Sequence, residues 1–183
     1  MKNNIIPAIR LTLVCLIFFC GFYSLAVYGI SKLVPNSMSF QKSKLGYYEN
    51  IGQKITSDNY FNSRPSAVDY NAAGSGGSNK GPSNPEYLAK VQARIDTFLL
   101  HNPDVKKEDI PSDLVTESGS GLDPNISVQA AKVQVKRIVK IRNISETTIN
   151  QTIDQQTEKP LLGLFGTEKI NVLKLNLTLD NLK

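Results

Sequence analysis

Hydrophobic and polar positions fall into distinct regimes along the chain. The first is an unbroken apolar run from Leu11 to Ile30, with no charged residue between Arg10 and Lys32. At ~1.5 Å rise per residue, a helix of that length spans the ~30 Å hydrocarbon core of a bilayer. Gly21 and Gly29 are tolerated in such a helix, and Tyr23 and Tyr28 stand toward its far end, where an aromatic ring meets the headgroups. A cleaved signal peptide would have an apolar core of about 7–15 residues and small residues before the cut. This run is longer, and Leu33-Val34-Pro35 is a poor cleavage context. Residues 1–34 are therefore predicted to form an uncleaved membrane anchor.

Residues 35–183 follow other periods. Pro35 to Gln41 reads as a juxtamembrane linker, and a short strand is expected near Ile51 to Ile55. From Ser57 to Pro85 the composition shifts to Asn, Ser, Gly and Pro. Gly74-Ser75-Gly76-Gly77-Ser78-Asn79 cannot hold a regular helix or strand, because glycine is entropically costly in both. A loop this long, ordered or flexible, is usually functional or disordered. Pro85 then suits the first turn of a helix, whose apolar face is Leu88, Val91, Ile95, Phe98 and Leu99, and Asn102-Pro103 ends it. A second loop-rich stretch covers Asp113 to Ser127. The spacing predicts a helix from about Ser127 to Ile141, with Val128, Ala131, Val135, Ile138 and Val139 inward and Lys132, Lys136 and Lys140 as a solvated stripe. Ser145 is placed to cap a third helix, with Ile144 and Ile149 as its hydrophobic staple. Leu173, Leu175, Leu177 and Leu179 alternate with polar residues, the pattern of a half-buried strand. The sum is an anchor followed by one small α+β domain with long Gly/Ser/Asn-rich loops, residues 35–183.

Charge removes one class of function. The formal charge is +5, but Lys2, Arg10 and Lys32 flank the apolar run and supply +3 of it. The remaining 18 basic and 16 acidic residues leave the domain at +2, without the concentrated positive face of a nucleic-acid binder. Lys2, Arg10 and the terminal amine favour an N-terminus inside the cytoplasm, while Lys32, Lys42 and Lys44 weaken that bias. Both cysteines, Cys15 and Cys20, lie in the apolar run, so the domain has no thiol chemistry.

The catalytic inventory is thin. His101, the single histidine, stands at the end of a predicted helix, where it suits the dipole better than it suits a general base. No metal-ligand cluster, HExxH or paired-carboxylate motif stands out. The Gly74–Gly81 segment lacks the G-x-x-x-x-G-K-[ST] spacing that gives a phosphate loop its lysine and hydroxyl. Ser118-Gly119-Ser120-Gly121 is not G-x-S-x-G, because Leu122 occupies the final glycine position. Arg64 sits in an Asn/Ser/Gly-rich loop, where its five donors either organise that loop or meet a partner. Gln134 and Arg137 are neighbours on a helix surface and are expected to hold the Ser118–Gly121 segment.

Five blocks taken together carry a resemblance. Tyr60-Phe61-Asn62-Ser63-Arg64-Pro65-Ser66-Ala67 resembles a YFxxRPSA block, and Gly76-Gly77-Ser78-Asn79 with Gly81-Pro82-Ser83-Asn84-Pro85 resembles an SGGSNxGPSNP loop. Leu114 to Pro124 is similar to VTxSGSGLDP, Ala130-Ala131 with Gln134 and Arg137 to AAxxQxxR, and Val172-Leu173 with Leu175-Asn176-Leu177 to NVLxLNLALD. These are blocks of the C subunit of the Kdp potassium-transporting P-type ATPase, and the likeness runs from the anchor to the last element. Two departures touch packing: Ile138 to Ile141 reads Ile-Val-Lys-Ile where Val-Ala-x-Ala is commoner, and Thr178 replaces an alanine.

The resemblance implies a single-pass subunit of the bacterial inner membrane with its domain outside the cytoplasm. Its implied partners are a potassium-selecting, channel-like subunit and a subunit that hydrolyses ATP with magnesium; potassium is the transported ion. No Asp-Lys-Thr-Gly phosphorylation motif is present, which agrees with a non-catalytic role that needs no catalytic residue, metal ligand or cofactor of this chain's own. One role implied for the family is that of a catalytic chaperone raising ATP affinity, with Ser118, Gly119, Ser120, Gly121, Gln134 and Arg137 contacting nucleotide or partner. Another is assembly or gating over the channel subunit, through Arg64, Pro65, Ser66, Gly76, Gly77, Ser78 and Asn79. Gly21, Ala26 and Gly29 would let membrane helices approach closely. The rival readings are a membrane-tethered solute- or peptide-binding protein, and a hydrolase whose nucleophile and base the sequence does not offer.

Overall fold

The apolar run folds as one continuous helix, Ile5–Leu33, in a computed structural model that describes residues 4–33 and 48–182. It comprises α1 (Ile5–Leu16), a π-helical segment (Ile17–Tyr23) and α2 (Ser24–Leu33). In hydrocarbon a polar side chain must find its partner within the helix. Thr12 donates to the Ala8 carbonyl at 2.9 Å, Ser31 to Tyr28 at 2.7 Å, and Ser24 to Phe19 at 3.2 Å across the wider π turn. None of this helix is buried, and its outward side chains are almost all aliphatic or aromatic. The Lys32 ammonium lies 5.1 Å from the centre of the Tyr28 ring, at the charged end of the span. The expected linker from Pro35 to Gln41 lies outside the described residues.

The second unit is the α+β domain. A three-stranded antiparallel sheet has the order β1-β3-β2, with β1 at Asn125–Ile126, β2 at Thr157–Glu158 and β3 at Lys169–Asn171. Asn125 pairs with Asn171 and Ile126 with Ile170, while Thr157 faces Ile170 from the other side. Helices α4 (Val128–Lys132), α5 (Val135–Arg142), α6 (Glu146–Gln156) and α7 (Val172–Asp180) gather on this small sheet. Between them Ile126, Ile138, Ile149, Ile153, Ile170 and Leu175 are all at most 2% exposed. Phe61, from the long first loop, closes the core.

Helix α3 (Pro85–His101) has Pro85 in its first turn as expected, and Asn84, which precedes it, caps it by accepting from Tyr87 N–H through Oδ1. Its apolar face is only partly covered: Phe98 packs on the core, but Leu88 remains 50% exposed. Ser145 caps α6, and Ile144 lies against the core that holds Ile149, as a staple requires.

Three expectations are overturned. The helix predicted from Ser127 to Ile141 is two helices, because Gln134 N–H turns back to the Ala131 carbonyl while its side-chain amide takes the Ala130 carbonyl at 2.9 Å. No strand forms at Ile51 to Ile55; that segment is irregular, and Gly52 N–H bonds the Leu122 carbonyl at 2.7 Å. The alternating leucines form helix α7 rather than a strand. Asn171 ends β3 and caps the helix by accepting from Lys174 N–H, and Val172, Leu175, Asn176 and Leu179 then share the buried face. Asn176 on that face disguises the helical period as alternation.

Candidate functional site

The loops that sequence marks as distinctive meet in one cluster. Ser66 Oγ accepts from the amides of Val68 and Tyr70, and both Asp69 and Tyr70 adopt left-handed φ, so the chain folds tightly back after Pro65. The Tyr70 hydroxyl donates to the Arg64 carbonyl at 2.6 Å. Burial, with the Asp69 carboxylate adding to it against the opposing charge of Arg94, pushes that phenol up to about 12. Arg64 crosses to the second loop and pairs with Asp123 at 2.9 Å. Of the two roles left open for Arg64, organising loops accounts for this bond, although it joins two loops rather than its own.

The two glycine-rich segments lie directly against each other. Gly76 N–H donates to the Ser120 carbonyl at 2.9 Å, the Ser75 hydroxyl donates to the same oxygen at 2.8 Å, and Ser118 N–H donates to Pro65 at 3.1 Å. Gly121 is the tightest point. Its φ is +67°, and a Cβ there would stand 2.6 Å from a Val68 methyl and 2.7 Å from the Gly76 carbonyl oxygen. Gly119 is the opposite, with open space where a side chain would go. Ser118 and Gly121 are buried, whereas Ser75, Asn79, Gly119 and Ser120 face outward. Gly77 lies partly covered against Gly119, and Ser78 is half-buried beside Glu117.

Helix α3 grips the cluster from one side. Arg94 donates to Glu117 at 2.5 Å and to the Val115 carbonyl at 3.2 Å, and the Tyr87 hydroxyl accepts from Glu117 N–H. Burial works to raise the Glu117 carboxyl, but the Arg94 bond, the Ser78 hydroxyl and the charges of Arg94 and Lys90 outweigh it and hold the group below its ordinary value.

Gln134 and Arg137, whose spacing predicts that they hold the Ser118–Gly121 segment, bond residues 58–62 instead. All five guanidinium donors of Arg137 are used: on the carbonyls of Asp58 and Tyr60, and on the side chains of Asn62, Asn102 and Gln134. Gln134 Oε1 also accepts from Asn62 N–H at 2.8 Å. Burial lowers the Arg137 pKa from its usual value, while the Asp58 carboxylate pulls it back. Asn62 and Asn102 in this network, and Asn176, which bonds the Phe61 backbone beside it, are not among the predicted site residues; only Asn176, a polar residue on the buried face of α7, carries a sequence signal.

His101 is exposed at the end of α3, and its Nδ1 lies 3.0 Å from Asp58. Asn102 rather than His101 closes the helix, through both its backbone and side-chain amides on Phe98. A cleft of about 430 Å³ runs past Asp58, Arg94, Phe98 and His101, and a second of about 490 Å³ past Arg64, Asp113, Asp123 and Lys169. Apart from the His101–Asp58 pair, the polar groups described here serve to lock loops together; none forms a hydroxyl–imidazole couple.

The family model for the c chain of the K+-transporting ATPase, KdpC, matches residues 5–181. The potassium-transporting ATPase KdpC subunit of Flavobacterium psychrophilum is 51% identical over 186 residues, covering 99% of this chain and 100% of that one. The KdpC subunit of Bacteroides thetaiotaomicron is 48% identical over 188 residues, with the same coverage. That of Caldanaerobacter subterraneus subsp. tengcongensis is 42% identical over 184 residues, covering 98% of this chain and 95% of its own.

Proposed function

The chain belongs to the KdpC family of potassium-transporting ATPase subunits, and from that premise we propose that it is a non-catalytic subunit whose loop cluster docks on the channel-like subunit. The observation that carries this is the shape of the cluster. Three loops are bonded into one surface with Ser75, Asn79, Gly119 and Ser120 outward, and the groups it presents are backbone, hydroxyl and amide rather than charged. A preorganised polar surface loses little entropy on binding, which suits assembly. Gly21, Ala26 and Gly29 supply the close approach between the anchor and neighbouring membrane helices.

The domain stands outside the cytoplasm, and the chain acts as a catalytic chaperone only indirectly. ATP is cytoplasmic, so any gain in ATP affinity reaches the hydrolysing subunit through the complex, as a coupling of about 1–3 kcal/mol. The amides of Ser118 and Gly121 are already spent inside the cluster, which favours a structural role for that block over a nucleotide cradle.

The test is tagged purification from detergent-solubilised membranes of cells grown in low potassium, comparing the native chain with Gly119→Arg. The open space at Gly119 lets the variant fold. Recovery of a channel-like protein and a P-type ATPase with the native chain, and their loss with the variant, supports docking through this surface. Recovery of the native chain alone, folded and stable, would favour a membrane-tethered solute binder using the cleft beside His101.

A further inference from the structure

The hairpin joining β2 to β3 carries at its tip a segment that neither the core nor the loop cluster uses. Leu161, Leu162, Leu164 and Phe165 are 69, 81, 80 and 65% exposed, a concentration of apolar surface that a soluble face does not need. The tip is closed on itself. Leu161 and Phe165 exchange two backbone bonds of 3.0 Å, Leu164 N–H reaches the Leu161 carbonyl at 3.1 Å, and Gly163 N–H reaches Pro160 at 2.9 Å. Leu162 and Gly163 both have positive φ, 56° and 72°, as in a type I′ turn. That turn favours Asn-Gly, and a bulky residue in its first central place is strained. A leucine held there with its side chain in water is not explained by the stability of the fold.

We propose that this finger, Leu161–Phe165, inserts into the interfacial layer of the bilayer that the chain's own helix spans. Three observations favour lipid over a protein partner. The amides of Leu161, Gly163, Leu164 and Phe165 are bonded within the turn, so the tip can leave water without stranding them. Residues 160–166 contain no polar side chain with which to read a protein surface. The nearest charges, Glu158, Lys159, Glu168 and Lys169, cancel, so attraction is apolar rather than ionic. Insertion to about 5–10 Å places the four side chains at the headgroup–acyl boundary. The inference needs only the membrane helix and stands apart from any role in a pump.

The chain has no tryptophan, so Phe165→Trp provides a single reporter in the full chain reconstituted into phosphatidylcholine vesicles. The expected result is blue-shifted emission, quenched by brominated acyl chains and shielded from aqueous iodide. A Leu88→Trp reporter on the half-exposed face of α3 should show the reverse. Adding Leu162→Asn to the Phe165→Trp chain should keep or raise its melting temperature, because asparagine suits the left-handed turn, and should reduce bromolipid quenching. Emission typical of an indole in water, with no bromolipid quenching, overturns the proposal, and is also the result expected if the finger belongs in a protein pocket. Equal quenching of the 88 and 165 reporters overturns it too, since lipid contact would then not be particular to the finger.

Discussion

Asn176 pairs with the backbone of Phe61 as an adjacent strand would. Its Oδ1 accepts from Phe61 N–H at 2.8 Å and its Nδ2 donates to the Phe61 carbonyl at 3.0 Å, both inside the core. One side chain thereby satisfies both polar groups of a loop residue that is itself fully buried. Asn176→Leu leaves the two groups unpaired at about 1–3 kcal/mol each. The expected loss is on the order of 3 kcal/mol, or roughly 6–12 °C in melting temperature for a chain of this size. Thermal unfolding of the detergent-solubilised chain measures it, and a fall of less than a degree or so would show that Phe61 finds other partners.

Arg137 should be replaceable by nothing else. Arg137→Lys keeps the charge but offers three donors in place of a planar fork of five, and so strands acceptors among Asp58, Tyr60, Asn62, Asn102 and Gln134. Each buried acceptor left unpaired in this way costs about 1–3 kcal/mol. Limited proteolysis should then cut near residues 58–62; unchanged resistance would contradict this account of the loop.

Two glycines two residues apart should respond oppositely. Gly121→Ala meets the Val68 methyl and the Gly76 oxygen at a positive φ, whereas Gly119→Ala meets nothing. The first should cost more than about 2 kcal/mol and the second no more than about 0.5 kcal/mol in either direction. Comparing denaturation midpoints of the two variants tests the placement of the loops, and equal effects would refute it.

The pH dependence has a definite sign at each end. Glu117 has its folded pKa below the ordinary 4.5, so its contribution is present above that pH and is lost as pH falls through the lower folded value. Glu117→Gln should therefore flatten the acid limb of the stability curve. Tyr70 is the opposite case: its phenol is raised from 10.0 to about 12, so its contribution is present below pH 10 and is lost as pH rises toward 12. An absorbance titration should show a phenol ionising near pH 12, and Tyr70→Phe should abolish that step.

Elements governed by local chemistry were legible in the sequence. The long apolar N-terminal helix, α3 with Pro85 in its first turn, and α6 with its Ser145 cap and Ile144–Ile149 staple follow from spacing and capping alone. Elements decided by distant partners were not. Gln134 breaks a helix because its side chain takes a carbonyl and also serves Asn62, and Asn176 belongs to a helix because Phe61 needs it. Of the cluster, sequence identified the loops and their glycines, but not that Arg64 would reach Asp123 or that Arg94 would hold Glu117. Those pairs lie 59 and 23 residues apart, beyond any local period.

The grip of Asn176 on Phe61, and of Asp180 on Tyr60 and Arg142, bears on how the chain is made. The early loop is fastened by the last helix, across separations of 115 and 120 residues. Contacts so far apart in sequence form slowly, because closure of the intervening chain must come first. During synthesis the loop around Phe61 emerges long before its partner exists and must wait with its aromatic side chain uncovered. A nascent chain that stops before α7 therefore has an anchor and most of its helices but no means of seating Phe61, and quality-control proteases would meet it in that open form.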